Sequence, residues 1–593
     1  MECCFAVEKA TRAWCRSVLG WSLLGCLILL FCSTRSLRGA SGPYASAPAV
    51  AEGTFPPRGK KLRLALQRAE TAWRQLQQPR LSPDALADAQ ARYARAVGEA
   101  IANLNGAAKA VLPGRIPTWD WHKPGMTLQI GGYRLALASG ASAPGTWTPG
   151  LYDEVWWVDQ PARNPAVPNA RRAGVGAALL AVRKRTERRQ EQEPGMPSRG
   201  YRLPATGVLD FGPPGRPGGA TTVQVRIFDP RVVRQIPVDR ERTLPLAADF
   251  ATPARQSVGV RNFGLLALLG FFRPERALDY SGTFLFEPYR PDKIPVVFIH
   301  GLNSDPSIWE NATAEIMADP ELGPRCQFWY FFYPTGSPVP SSAERLRASL
   351  DQLRAHYDPA GDAPDMDRLI LVGHSMGGLL AHLQVVEPGT QMYDAYFRVP
   401  PGRLGVPASF QRLLHSNLLF SARRDVGQVV FICTPHRGSR IADWGAVRLL
   451  ARLVAVPEKI LTTATQILTL NTDLLSPEMA RSGLRGFTSL DSLSPRNPYY
   501  TALEKLPIRR PFDTILGDRG RGDTPSSSDG VVGYRSAHWD GAGSETVVPY
   551  GHQCAMKPQV CEQLDRILRR DILGRAAAAH PGSRAVSPDM TWE

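Results

Sequence analysis

Three side chains far apart in this chain could together attack an acyl carbon: the serine of Gly373-His374-Ser375-Met376-Gly377, the aspartate at 529 and the histidine at 552. A serine hydroxyl is a poor nucleophile at neutral pH. Ser375 therefore needs an imidazole to take its proton, and that imidazole needs a carboxylate to fix its orientation. Gly-x-Ser-x-Gly sets a serine on a sharp turn between a strand and a helix, with its Oγ standing clear of the sheet. A Cβ at Gly373 or Gly377 would collide with neighbouring backbone, so both glycines belong to the site. His374, the variable residue of the elbow, helps to shape it.

The turn demands a strand before it and a helix after it. Leu369-Ile370-Leu371-Val372 is an apolar run of strand length, and the residues after Gly378 are helix-compatible. From Lys293 onward strand and helix patterns alternate, which implies a parallel sheet. Pro295 to Gly301 reads as a central strand ending in the turn His300-Gly301, and Phe328 to Pro334 reads as a second strand. A helix is predicted from about Ser342, with Leu346, Leu350, Leu353 and Tyr357 at helical spacing. Gln428 to Cys433 forms another strand leading into Thr434-Pro435-His436-Arg437-Gly438-Ser439. The last strands are predicted at 512–517 and 546–550, with a helix over about 558–573. Residues 388–427 and 440–510 interrupt the alternation and read as cap insertions.

In hydrolases with this elbow the chain order is serine, acid, histidine. His552 follows the last predicted strand and is the expected base. Asp529, in Asp529-Gly530-Val531-Val532, follows the penultimate strand and is the expected acid. Asp518, directly after that strand, is the alternative, and Asp540 a more distant one. His538 precedes the final strand and should lie at its opposite end. His382 falls on the helix after the elbow. His436 precedes both acids in the chain and is expected to shape the site rather than move a proton. The backbone N–H groups of Met376 and Leu302 would bind the oxyanion, with His300 and Gly301 forming the second turn. No metal or organic cofactor is implied.

The His-Gly turn, Gly-His-Ser-Met-Gly-Gly, Thr-Pro-His-Arg-Gly-Ser and Asp-Gly-Val-Val, in this order, resemble the lipase-type serine hydrolases of the α/β-hydrolase fold. The nearest resemblance is to bacterial envelope hydrolases related to the GPI-inositol-deacylase and triacylglycerol-lipase branches. It covers residues 291–575 and implies a mostly parallel sheet with helices on both faces. It also assigns the acid role to Asp529, because the aspartate of the Asp-Gly-hydrophobic pair is the triad acid in those lipases. A calcium site like that of some bacterial lipases is not recognisable in this sequence. The function implied is cleavage of carboxylic esters, lipid-like acyl esters among them, through an acyl-enzyme on Ser375. An acyltransferase with the same triad and a non-catalytic envelope binding protein are the alternatives.

The remaining sequence bounds this reading. At 593 residues the chain exceeds a single core. A net charge of +16 favours anionic surfaces, but most of the excess is scattered arginine, and the run Arg183 to Arg189 reads as a solvated face. Nothing in the sequence supports nucleic-acid binding. Lys9, Arg12 and Arg16 precede an apolar run from Val18 to Cys32, which suggests export and attachment to a membrane of the cell envelope. Cleavage, lipidation at Cys26 and an uncleaved anchor all remain open. Of nine cysteines, five lie in that segment, and the other four do not form a disulfide framework. The expected organisation is a signal or anchor segment and linker over 1–45, a helical hairpin over 58–112 and a β-rich accessory domain over 113–290, read as a sandwich. A catalytic domain over 291–575 and a disordered tail over 576–593 follow. Five tryptophans between Trp119 and Trp157 read as core rather than carbohydrate-binding residues, and Phe263 to Phe272 reads as a buried element or an apolar flap beside an acyl site.

Overall fold

The computed structural model describes residues 58–108, 119–138, 147, 149–159, 166–213, 219–258, 269–439, 472–477, 479, 489–520 and 524–579. The targeting segment, residues 263–268 of the apolar run and residues 440–471 of the second insertion lie outside them. Among the described residues no helix is long and apolar enough to cross a membrane.

Two helices open the described chain, Arg58–Leu76 (α1) and Pro83–Ala108 (α2). The start of α2 is dictated locally. Ser82 Oγ accepts from the Ala85 N–H at 3.3 Å, and Pro83 fills a first-turn position whose missing N–H is no loss. The apolar stripes of both helices face a six-stranded mixed sheet built from Thr127–Ile130 (β1), Tyr133–Leu137 (β2), Glu154–Trp157 (β3), Ala177–Arg183 (β4), Tyr201–Phe211 (β5) and Thr221–Phe228 (β6), in the order β1-β2-β6-β5-β4-β3. Among the described residues the layer opposite this sheet is the helical pair and not a second large sheet, which corrects the sandwich expectation. Gly207 on β5 is the point of close approach, since a Cβ there would lie 2.5 Å from Ile101 Cδ1. Tyr93 of α2 both donates to the Leu209 carbonyl and accepts from its N–H. Trp119 and Trp121 are buried, whereas Trp156 is exposed. Three residues of the basic run are in ion pairs: Arg183 with Glu193, Lys184 with Glu154 and Arg189 with Asp153.

The second sheet has seven strands: Gly282–Leu285 (β7), Ile294–Ile299 (β8), Cys326–Phe332 (β9), Leu369–His374 (β10), Val426–Ile432 (β11), Phe512–Gly517 (β12) and Glu545–Val548 (β13). Their order is β7-β9-β8-β10-β11-β12-β13. Only β7 runs antiparallel to its neighbour; the other pairings are parallel. Strands β8, β9 and β10 are buried along their whole length, as near-continuous apolar runs require in a sheet covered on both faces. The covering helices are Glu310–Ala318 (α3), Val339–Tyr357 (α4), Met376–His382 (α5) and Pro558–Ala579 (α6), with α4 against α5 and α3 against α6. Helix α6 continues past the expected end and takes in residues 576–579 of the expected disordered tail. Those four residues are alanines, the strongest helix formers.

One hydrophobic core runs from Leu66 and Tyr93 through Leu203 and Leu209 to Val297 and Val372. The six-stranded and seven-stranded sheets therefore share an interior. A buried ion cluster reinforces the junction: Arg231 bonds both Asp229 and Glu287, and Lys293 bonds Glu287. Burial alone would raise the Glu287 carboxyl, but Arg231 and Lys293 hold it down at about 2.

Candidate active site

Ser375 sits between β10 and α5 with φ 54° and ψ −124°, a backbone conformation that a non-glycine residue adopts only under constraint. The constraint is visible in the flanking glycines. A Cβ on Gly373 would lie 2.6 Å from Gly378 Cα, and one on Gly377 would overlap the carbonyl oxygens of Ile299 and His300. Among the described residues only Asn303, Ser375 and Cys433 are non-glycines with positive φ. They follow the ends of β8, β10 and β11, three adjacent strands, so the strained backbone collects at one edge of the parallel sheet.

The structure brings the three expected side chains together. His552 Nε2 lies 2.7 Å from Ser375 Oγ, and His552 Nδ1 lies 2.7 Å from Asp529 Oδ2. Asp529 is 3 % exposed, and its Oδ1 accepts from the N–H groups of Val531 and Val532, each at 2.7 Å. Burial works to raise this carboxyl, but His552 and the two amides prevail and hold it below the usual carboxylate range. The His552 N–H donates to the Asp529 carbonyl at 3.0 Å, so acid and imidazole are joined through both side chain and backbone. Gly517 at the end of β12 makes room for the two loops, because a Cβ there would lie 2.8 Å from both Asp529 Cβ and the Tyr550 carbonyl.

The other acid candidates lie elsewhere. Asp518 accepts from the Gly520 N–H in a surface turn. Asp540 is bound to His538, which also pairs with Glu545 at the start of β13, the end opposite His552.

The second turn abuts the serine. A Cβ on Gly301 would lie 3.0 Å from Ser375 Cβ and 3.1 Å from His374 Nδ1. His300 is buried, stacks on Tyr333 at 4.6 Å and bonds the Gly301 carbonyl through Nδ1. Burial lowers its pKa to about 4, so it supports the turn as a neutral ring. Leu302 and Asn303 continue this turn, and the Asn303 N–H is held by Thr335 Oγ1 at 3.2 Å. Met376 is the first residue of α5, where an N–H has no partner within the helix.

Two histidines take roles that the sequence did not reveal. His374 Nε2 bonds the His552 carbonyl at 2.8 Å, and burial, with His552 nearby, keeps its pKa at about 3. His436 bonds His382, Nδ1 to Nδ1, at 2.9 Å and packs against Phe431 and Trp539. Both rings are fully buried and neutral, His382 with a pKa pushed down to about 3. His436 thus braces the loop after β11 against α5.

Residues 296–566 match the model of the alpha/beta hydrolase family. Among solved structures the chain is similar to a Bacillus licheniformis lipase in mature form, at 19% identity over 48% of this chain and 97% of that one, with a TM-score of 0.29. It is also similar to an esterase B from Lactobacillus rhamnosis inhibited by a C4-C4 tributyrin phosphonate, at 13% identity, 50% and 82% coverage and a TM-score of 0.28. A metagenomic carboxyl esterase aligns at 15% identity, 48% and 76% coverage and a TM-score of 0.25. None of the curated proteins matches the chain.

Proposed function

We propose that the α/β-hydrolase domain containing residues 296–566 is a serine hydrolase that cleaves carboxylic esters through an acyl-enzyme on Ser375. The observation that carries this reading is the unbroken relay from Ser375 Oγ through His552 to Asp529, with both links at 2.7 Å. His552 Nε2 takes the hydroxyl proton as Oγ attacks the ester carbon, and Asp529 holds the Nδ1 proton and stabilises the imidazolium. The oxyanion is bound by the N–H groups of Met376 and Leu302. Collapse of the tetrahedral intermediate expels the alkoxide, which receives the proton from His552. Water then repeats the sequence on the acyl-enzyme, releases the acid and restores Ser375.

Lipid-like acyl esters are the favoured substrates within this reading. The end of the apolar run packs on the loop after β9: the Gly336 N–H donates to the Gly270 carbonyl at 2.9 Å, and Phe271 is buried. Thr335 of the same loop holds Asn303 beside the proposed oxyanion turn. An apolar wall at that position suits an acyl chain better than a polar acid. Export and membrane attachment belong to the same reading and are carried by the basic and apolar residues 9–32.

The test is labelling by a fluorophosphonate together with hydrolysis of p-nitrophenyl esters from C2 to C16. The wild-type protein should take up the label and show a preference beyond short chains, and Ser375→Ala should lose both. Equal labelling of the two proteins would move the nucleophile elsewhere. A preference for C2 alone would remove the lipid-like assignment.

A further inference from the structure

Directly behind the acid and imidazole lies a second pair of groups that the ester chemistry does not use. The sulfurs of Cys433 and Cys554 are 3.3 Å apart, and both residues are fully buried. The Cys433 sulfur and single side-chain ligand atoms of Asp529 and His552 all lie within 4.8 Å of one another. Cys433 directly follows β11 with φ 50°, and its N–H donates to the Ile515 carbonyl of β12 at 2.9 Å. Cys554 is two residues beyond His552, on the loop that carries the imidazole. All four described cysteines are thiols in this structure.

We propose that Cys433 and Cys554 are a disulfide-forming pair, closed when the chain folds in an oxidising compartment, and that the bond fastens the His552 loop to the end of β11. Closing the gap to a disulfide length of about 2.05 Å needs the sulfurs to move by little more than about 1 Å. The oxidant is a small-molecule or protein disulfide. One cysteine thiolate attacks it and releases the first thiol of the oxidant, and the second cysteine then displaces the other thiol from the mixed disulfide. Two protein thiols become one disulfide, and the oxidant carries away both electrons and both protons as two thiols. The exchange belongs to folding, because in the folded protein the bond to Cys554 and burial hold the Cys433 thiol protonated and inert. The positions are 121 residues apart in the chain, so the bond closes a long loop of the unfolded state. A restraint of that length should raise the thermal midpoint by about 5 °C.

The experiment refolds the full-length protein with glutathione disulfide, blocks free thiols by alkylation and maps the peptides by mass spectrometry. The expected product is a peptide pair joining Cys433 to Cys554, two hydrogens lighter than the thiol forms and separated by dithiothreitol, with reduction lowering the thermal midpoint. Complete alkylation of both cysteines after oxidative refolding, or their pairing with Cys326 or Cys561 instead, would overturn the proposal. Cys433→Ala should lose both the linked peptide and the redox dependence of the midpoint. If that variant does not fold, the wild-type map decides alone. The map requires no turnover, so its outcome is separate from that of the esterase assay.

Discussion

His374 Nε2 lies 2.8 Å from the carbonyl oxygen of His552, so the residue beside the nucleophile holds the backbone of the imidazole that faces it. With Nε2–H donating, Nδ1 is the bare nitrogen, and the low pKa of about 3 keeps this tautomer neutral across the working range. The elbow therefore positions the His552 imidazole as well as the Ser375 hydroxyl.

Removing this clamp should show in turnover more than in binding. His374→Ala is expected to lower kcat by about 10- to 100-fold, since small misplacements of a catalytic group have effects of that size. KM should change by less than about 3-fold. Steady-state kinetics on a soluble ester would separate the two, and an unchanged kcat would remove the positioning role.

The acid can be tested by comparing Asp529→Asn with Asp518→Asn. In the first, an amide facing His552 Nδ1 favours the wrong tautomer, and kcat should fall by about 10⁴-fold. In the second, only a turn is disturbed, and kcat should stay within about 3-fold of wild type. A large loss confined to Asp518→Asn would transfer the acid role.

Acid should destabilise the fold well before the carboxylates titrate. His300, His374 and His382 are buried with pKa values of about 4, 3 and 3, and His436 is also held low. In the unfolded chain each would protonate near pH 6.5. Their folded values lie below the unfolded one, so the unfolded state binds more protons as pH drops. The stability present above pH 6.5 is lost progressively towards pH 4, at on the order of 1 kcal/mol per pH unit for each ring. Asp529, also lowered, adds to the loss below about pH 4. Thermal midpoints measured from pH 7.5 to 4.5 should hold down to about pH 6.5 and fall below it, and a flat profile between pH 6.5 and 5 would contradict this account.

The junction of the two sheets depends on Arg231, which is buried against Asp229 and Glu287. Arg231→Met leaves the Asp229 and Glu287 carboxylates in the interior with Lys293 bonded to Glu287 alone of the two. Removing one partner from a buried ion cluster costs about 3–5 kcal/mol, so urea unfolding should begin at clearly lower denaturant. An unchanged midpoint would mean that the cluster contributes nothing to the junction.

Much of this protein is determined locally and can be read from its residues in order. Apolar runs bounded by turns specify β8, β10 and β11, glycines at 373 and 377 specify the elbow, and Ser82-Pro83-Asp84 specifies the start of α2. Ser375, Asp529 and His552 could be singled out because each follows a strand end, where a parallel sheet presents its loops. What stood opposite the accessory sheet was a different matter. The stripes on α1 and α2 show that they need a partner, but not which one, because burial rewards any apolar face of suitable shape. The tertiary structure alone decided that α1 and α2 cover β1–β6 and share a core with the catalytic sheet. It likewise decided that His374 reaches the His552 backbone, that His436 turns to His382, and that Cys433 meets Cys554 across 121 residues. Such contacts join residues whose separation along the chain carries no periodic or local signal, so only the closed fold can specify them.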